Sequence, residues 1–211
     1  MKRVVKLSII PLLLLTCCAS KRDPMENYEV EIWAASSPNG ETIENAISII
    51  EETGEYKISY SNKGPDSNLL ENLKHASGVS NGPDIIIVSA AEYLSNEDEA
   101  YSSSEIIENN VFRYIDYALP LDDEMKESAQ TKYGNHFCSF ATKDDKMIGF
   151  PLSSYDFLGS NKNLEPVIPS RGYSFALIQK EKIDRFIKLP LHDYLKKFVL
   201  TFSEQFLNSN I

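Results

Sequence analysis

The stretch that decides the fold reads Asn81-Gly82-Pro83-Asp84-Ile85-Ile86-Ile87-Val88-Ser89. Its centre, residues 85–88, is uniformly apolar and β-branched, which is typical of a strand covered by helices on both faces. Gly82 and Pro83 in front of it form a turn signal. A sheet with helices on both sides is therefore the first structural hypothesis.

A strand and a helix precede this stretch as a first unit. Residues 28–34 alternate apolar and polar side chains, which predicts a strand. Ser37 can cap the following helix, with Pro38 at its first position and Gly54 as its stop. The helix is predicted from apolar residues at helical spacing, namely Ile43, Ala46, Ile47 and Ile50.

The same pattern then repeats. Residues 56–60 alternate as a second strand, and Ser67 is predicted to cap a helix that ends at Gly78. Its apolar positions are Leu69, Leu70, Leu73 and Ala76. Three strands linked by helices pair in parallel through right-handed crossovers, so the sequence predicts an open α/β sheet.

The middle of the chain is less regular. Residues 96–104 are acidic and serine-rich and predict a solvated loop, followed by a helix over 104–110. Residues 117–123 predict an extended segment that leads into a helix capped by Asp122 or Asp123. The apolar segments 137–142 and 146–152 flank a polar turn at 143–146, which predicts a hairpin.

The composition changes from residue 161 onward, where basic residues become frequent. Two helices are predicted there, one over 181–188 and one after Pro190. The second carries an apolar stripe at Tyr194, Phe198, Val199, Phe202, Phe206 and Leu207. A basic amphipathic helix can touch a membrane, but packing against the α/β body is the favoured use of such a stripe.

The amino terminus carries a processing signal. Lys2, Arg3 and Lys6 precede a short apolar stretch over 8–15, which is too short to span a bilayer comfortably. Cys17 and Cys18 follow at once, as in a lipoprotein leader. We predict a signal peptide over 1–17 and lipid attachment at Cys18, with Cys17 as the alternative, so that the chain is anchored to the cell envelope.

Charge and motif content exclude several functions. Loss of the three leader charges takes the formal net charge from −10 to about −13, which argues against nucleic acid as a partner. Cys138 is the only cysteine outside the leader, so no internal disulfide or cysteine metal cluster is expected. His75, His136 and His192 stand in no catalytic motif, so we expect no enzyme activity, no cofactor and no metal site.

Several segments resemble extracellular solute-binding proteins of sugar ABC importers, the family that includes maltose-binding protein. The resemblance covers about residues 28–164. It lies in Glu52-Thr53-Gly54-Glu55-Tyr56-Lys57-Ile58, in Asn81 to Ile86, in Leu119-Pro120-Leu121-Asp122-Asp123, in Lys146-Met147-Ile148-Gly149-Phe150-Pro151 and in Asn161-Lys162-Asn163-Leu164. The order and spacing of these segments agree with the family's pattern.

The resemblance implies a type II periplasmic-binding-protein-like lobe with a mostly parallel open sheet flanked by helices. Such proteins have two lobes, and here the second is largely missing. We therefore expect a tether over 18–27 and a first solute-binding lobe over 28–160. Residues 161–211 would be a basic helical tail, either a truncated or a divergent remnant of the second lobe.

Ligand sites in open α/β sheets lie beyond the carboxyl ends of the strands. Carbohydrate sites need polar groups for the hydroxyls and aromatic faces for the sugar ring. The candidate ligand-binding residues are Ser36, Ser37, Ser89, Glu92, Ser153, Tyr155 and Asp156. For Asp156 a helix cap or solvated turn is an equal alternative, and for Trp33 a place in the core is favoured over stacking.

The resemblance implies a membrane-anchored substrate-binding component of an ABC transporter. Its partners would be a sugar or oligosaccharide solute, an ABC permease and, through the lipid, a membrane. The alternative is a truncated surface lipoprotein that does not transport, or the remnant of a disrupted gene.

Overall fold

The computed structural model describes residues 25, 27–35, 40–77, 82–93, 111–158, 169–180 and 189–209. The strands are β1 Glu29–Ala34, β2 Lys57–Asn62, β3 Ile85–Tyr93, β4 Thr142–Lys143, β5 Lys146–Met147, β6 Phe150–Leu158 and β7 Pro169–Ile178. The helices are α1 Gly40–Glu52, α2 Asp66–Ser77, α3 Asp123–Ser139 and α4 Leu189–Asn208, with a 3₁₀ helix at Phe112–Tyr114.

Five strands form one sheet in the order β2-β1-β3-β7-β6. β1 pairs in parallel with β2 and β3, whereas β7 is antiparallel to both of its neighbours, β3 and β6. Four of the five strands therefore run in one direction, and helices pack on the sheet. The predicted α/β lobe with a mostly parallel open sheet is confirmed, and the antiparallel strand lies inside the sheet.

Asp84, at the amino end of β3, joins three strands. Its carboxylate accepts hydrogen bonds from the Tyr28 hydroxyl at 2.6 Å and from the Glu31 amide of β1 at 2.8 Å. Its own amide donates to the Glu31 carbonyl at 2.7 Å, and its carbonyl accepts from the Gln179 amide, just after β7, at 2.8 Å. Asp84 is fully buried, and these partners offset the cost of burying its carboxylate.

The first face of the sheet carries the larger apolar cluster. Helix α1 contributes the four residues whose spacing predicted a helix, and all four are buried. Helix α4 packs beside α1 and buries its predicted stripe at Phe198, Val199, Phe202 and Phe206. Packing against the body is therefore the observed use of this helix.

The second face is covered by α2, the 3₁₀ helix and the end of α3. Leu69 and Leu73 of α2 pack with Trp33, Ile86 and Phe175 of the sheet. Residues 86 and 88 of β3 lie on this face, and 85 and 87 lie on the first. β3 is thus buried on both faces, as its uniformly apolar sequence predicted.

Helix α3 is broken at Gly134 and contacts both faces of the sheet, because after the break Phe137 lies in the second-face cluster and Cys138 in the first-face cluster. The backbone there leaves the helix, with φ 81° and ψ 161°, and divides α3 into two parts. Met125 packs in the first-face cluster before this break, and Phe137 packs in the second-face cluster after it. Between them the Tyr133 hydroxyl donates to the Leu152 carbonyl of edge strand β6 at 3.2 Å. The break lets α3 cover an edge that would otherwise be open for pairing.

The predicted division at residue 161 does not separate two structural units. β7 lies in the interior of the sheet, and α4 contributes to the same core as α1. Residues 169–178 and 189–208 share one sheet and one core with the strands and helices before residue 161, and the origin of this part of the chain as a second-lobe remnant stays a prediction. The physical reason for the shared sheet is that β3 and β6 both pair with β7 and not with each other.

Three local predictions have different outcomes. Asp122 caps α3 as predicted, since its carboxylate accepts the Met125 amide at 3.0 Å. The hairpin exists as β4 and β5, with Asp144 and Asp145 in left-handed conformation at its turn, but residues 137–139 of its predicted first arm are helical. Ser67 lies within the first turn of α2, which begins one residue earlier, so it is not the cap.

Other predictions fall outside the described residues. These are the leader with Cys17 and Cys18, the cap at Ser37, the acidic loop at 96–104 and the helices at 104–110 and 181–188. Among the described helices, none combines the length and the apolar composition needed to cross a bilayer.

We predict that Gly134→Ala destabilises the protein by about 1–3 kcal/mol, because φ 81° with ψ 161° is open essentially to glycine alone. No neighbouring atom lies within 4 Å of an added Cβ, so the loss measures backbone strain alone. Gly40→Ala is the matched control, since its Cβ also meets nothing within 4 Å and alanine favours a helix. Urea unfolding of both variants tests this, and an equal effect of the two would contradict it.

The Lys196 ammonium of α4 contacts Asp122 at 2.6 Å and Glu124 at 3.1 Å at the start of α3. Burial raises the pKa of Asp122, but the hydrogen bonds from Lys196 and from the Met125 amide lower it more, so the net pKa lies below its usual value. This stabilisation is present above the unfolded pKa of about 3.9 and is lost as the pH falls through the lower folded pKa.

We therefore predict that Lys196→Met lowers the free energy of unfolding at pH 7 by up to about 1 kcal/mol. The difference from the wild type should shrink as the pH falls below about 4. Lys197→Met is the control on the same helix, since Lys197 is largely exposed and lies 3.6 Å from Glu55. Unfolding curves at several pH values measure both, and a pH-independent loss for Lys196→Met would refute the ion-pair account.

Candidate functional site

Three strands extend past the carboxyl ends of β1 and β2. Ala34, the last residue of β1, is level with Ile87, whereas β3 continues to Tyr93. β7 pairs with β3 and with β6 along this extension, out to Tyr93 and Leu158 respectively. The carboxyl ends of β3 and β6 therefore lie at the same end of the sheet, on either side of β7. We call this end of the sheet the solute edge.

A row of three serines crosses the base of this extension. Ser89 of β3 and Ser153 of β6 both pair with Ser174 of β7. A register shift between Pro151 and Ser153 brings Ser153 into this row. The sequence predicted Ser89 and Ser153 as site residues, and β7 brings them together, although Ser174 itself was not predicted.

The three hydroxyls differ in accessibility. Ser153 is 4% and Ser174 is 1% exposed, whereas Ser89 is partly exposed. A ligand at this edge therefore has access to Ser89, while Ser153 and Ser174 face the interior. Ser153 suits a positioning role better than direct contact.

A charged row lies three residues farther out. Glu92 of β3 and Asp156 of β6 both pair with Arg171 of β7, and Tyr155 pairs with Gly172. The structure describes the backbone of these residues, which fixes their register. Arg171 was assigned to the tail by sequence and was missed. Its signal was the segment 173–178 after it, which is apolar except for Ser174 and has the character of a strand buried on both faces.

Ser36 and Ser37 lie outside the described residues. The five other predicted site residues lie on β3 or β6 at the solute edge.

An aromatic cluster packs on the second face of the sheet, beside the extended part of β7. Tyr173 stacks on Phe140 with ring centroids 4.3 Å apart, and the exposed His136 meets Phe140 edge-on at 5.2 Å. Tyr173 is 2% exposed and Phe140 is fully buried, so these rings pack the sheet. Sequence reasoning did not identify this cluster, because it joins the end of α3 to β7.

Trp33, at the carboxyl end of β1, is part of the core. Its ring is 7% exposed and is covered by the Lys63 ammonium, 3.9 Å from the ring centroid. Its indole N–H donates to Glu31 at 2.8 Å. The interpretation of Trp33 as a packing residue is the one that the structure bears out.

Groups that could support catalysis are dispersed. Burial raises the pKa of the Cys138 thiol to about 11, so little thiolate exists at neutral pH. His75 is largely exposed on α2, beside Glu71 at 3.9 Å. Within the described part of the chain, no three His, Cys, Asp or Glu side chains are grouped as metal ligands.

One further surface groove, of ≈ 610 Å³, lies between α2 and the 3₁₀ helix. It is lined by Ser67, Leu70, Glu71, Lys74, His75 and Arg113. None of the residues predicted to bind ligand lines it.

Comparison with solved structures finds sugar-binding proteins of ABC transporters. An extracellular solute-binding protein of Staphylococcus aureus in complex with maltose is 14% identical and has a TM-score of 0.41, over 61% of this chain and 29% of its own. A cyclo/maltodextrin-binding protein with maltotetraose is 10% identical with a TM-score of 0.43, over 62% and 29%.

An ABC-transporter-associated binding protein of B. animalis subsp. lactis with β-1,6-galactobiose is 18% identical with a TM-score of 0.42, over 60% and 26%. The match spans less than a third of each of these chains. Structures of the family that the sequence motifs resemble are thus found, over a partial lobe. No protein-family model and no curated protein matches the sequence.

Proposed function

We propose that this protein is the membrane-anchored solute-binding component of an ABC importer, that its ligand is a sugar or oligosaccharide, and that it performs no chemistry. The observation that carries the proposal is the solute edge. Ser89 and Ser153 share one row there on the first face, and Glu92 and Asp156, three residues farther on, share another at positions that alternate to the second face, each row through a common partner on β7.

The residue types at this edge suit a neutral saccharide. Hydroxyl and carboxylate oxygens accept hydrogen bonds from sugar hydroxyls, and charge-assisted hydrogen bonds are the stronger ones. The charged row holds two carboxylates and one guanidinium, on a chain of formal net charge −10. Both features disfavour an anionic ligand. The ligands named for the matched structures, maltose, maltotetraose and galactobiose, belong to this neutral class.

Lipid at Cys18 would hold the protein at the envelope surface, and an ABC permease would be its membrane partner. The basic and apolar leader supports this part of the proposal.

A second function is favoured by the connection between β6 and β7. Leu158 pairs with Pro169, so the ten residues between them join two paired strand ends. A second lobe cannot fit in this connection, so the groups that contact the other side of a solute would have to come from elsewhere. A surface lipoprotein that binds a partner or solute without transport is therefore the alternative. β7 and α4 complete a full core, which argues against a remnant of a disrupted gene.

The test is saccharide binding by the full chain in mild detergent, measured by calorimetry with maltose, maltotetraose and β-1,6-galactobiose. Asp156→Asn should weaken binding about tenfold or more, because a hydrogen bond to a charged group contributes about 1.5–3 kcal/mol. Asp193→Asn is the matched control, since Asp193 lies on α4 and its side chain is 71% exposed.

A cooperatively folded, lipidated chain that binds none of these saccharides would reject the first function in favour of the second. Equal affinities for Asp156→Asn and Asp193→Asn would remove Asp156 from the site.

A further inference from the structure

The chain enters the fold at a fixed point. The Tyr28 amide donates to the Met25 carbonyl at 2.9 Å, and the Tyr28 hydroxyl donates to the buried Asp84. Lys57 donates to the Asn27 side chain at 3.3 Å, and Met25 packs against the first-face cluster. From Met25 onward the chain is therefore held to the body.

This entry point lies at the edge opposite the solute edge. Glu29 and Lys57, the first residues of β1 and β2, are paired, and Asp84 immediately precedes β3. We call this side the amino edge. The Tyr28 ring contacts Tyr194 edge-on at 5.9 Å there, and Lys197 contacts Glu55 at 3.6 Å.

The height of the sheet can be compared with the reach of the tether. Five residue steps lead along β1 from Glu29 to Ala34, which is level with Ile87 of β3, and six more lead along β3 to Tyr93. At about 3.3 Å per residue these eleven steps span about 36 Å. From Cys18 to Met25 there are seven residue steps, which span at most about 25 Å. The tether is shorter than the body that it would have to pass.

We propose that the amino edge rests on the lipid bilayer and that the solute edge is held away from the membrane, beyond the reach of the tether. This inference rests on lipid attachment at Cys18, which is part of the proposed function. The half-buried ring of Tyr194 suits the interface, where an apolar ring meets water and headgroups, whereas the Tyr28 hydroxyl is held by Asp84. Lys57 and Lys197 are offset by Glu29 and Glu55, so the tether, and not charge, sets the orientation.

The orientation bears on the choice between the two functions. A membrane partner meets the solute edge only if its own extramembrane part rises to that height. A tether this short therefore requires of the proposed permease an extramembrane part of about that height.

The experiment places a fluorophore at each edge of the lipidated full chain in vesicles with nitroxide-labelled headgroups. Glu55→Cys marks the amino edge and Ser154→Cys marks the solute edge, and both positions are exposed. The remaining thiol, Cys138, is 2% exposed with a raised pKa, so it stays unlabelled at neutral pH. We expect quenching at position 55 to exceed quenching at position 154 several-fold. Equal or reversed quenching would overturn the proposal.

A lengthened tether is the control. About fifteen Gly and Ser residues inserted between Pro24 and Met25 raise the maximal reach to about 75 Å, so the body can turn over. Quenching at position 154 should then rise relative to quenching at position 55. An unchanged ratio of the two would show that the tether does not set the orientation, which would contradict the proposal. The intact mass of the protein distinguishes failure of the orientation proposal from failure of the proposed function. A chain without lipid at Cys18 contradicts the membrane anchor of the proposed function, whereas a lipidated chain with equal quenching contradicts only the orientation.

Discussion

The fold depends on the buried carboxylate of Asp84. It ties the amino end of β3 to the Glu31 amide of β1 and to the Tyr28 hydroxyl, while its main chain bonds to Glu31 and Gln179. One residue therefore fixes the relative positions of β1, β3, the end of β7 and the entry of the chain. Loss of the carboxylate would leave the part-buried Glu31 amide and Tyr28 hydroxyl without this acceptor, at a cost of up to about 1–3 kcal/mol for each group.

The first half of the sheet was predictable because its signals are local. Strand alternation, helical spacing and the apolar run at 85–88 each depend on neighbouring residues, and all appear as predicted. β7 was not predicted, because its pairing with β3 joins Ile85 to Ile178 across the whole lobe. Its run 173–178 carried the sign of a central strand, but the basic residues around it suggested a separate tail.

The site was predictable to the same extent. The rule that ligands bind beyond the carboxyl ends of strands led to Ser89 and Glu92 on β3 and to Ser153, Tyr155 and Asp156 on β6. Arg171 and Ser174 were missed because they lie on the strand that sequence reasoning placed elsewhere. The amino edge, fixed by Asp84, serves stability and chain entry, while the opposite edge carries the candidate site.

The central claim is that residues 169–208 belong to one cooperative unit with β1, β2 and β3. Native-state hydrogen exchange of the full chain in low denaturant tests it most directly. The account predicts that the amides of residues 173–178 of β7 and 195–206 of α4 exchange with the same free energy as those of residues 85–88 of β3. Exchange of β7 and α4 at a clearly lower free energy, while β1 and β3 stay protected, would contradict it.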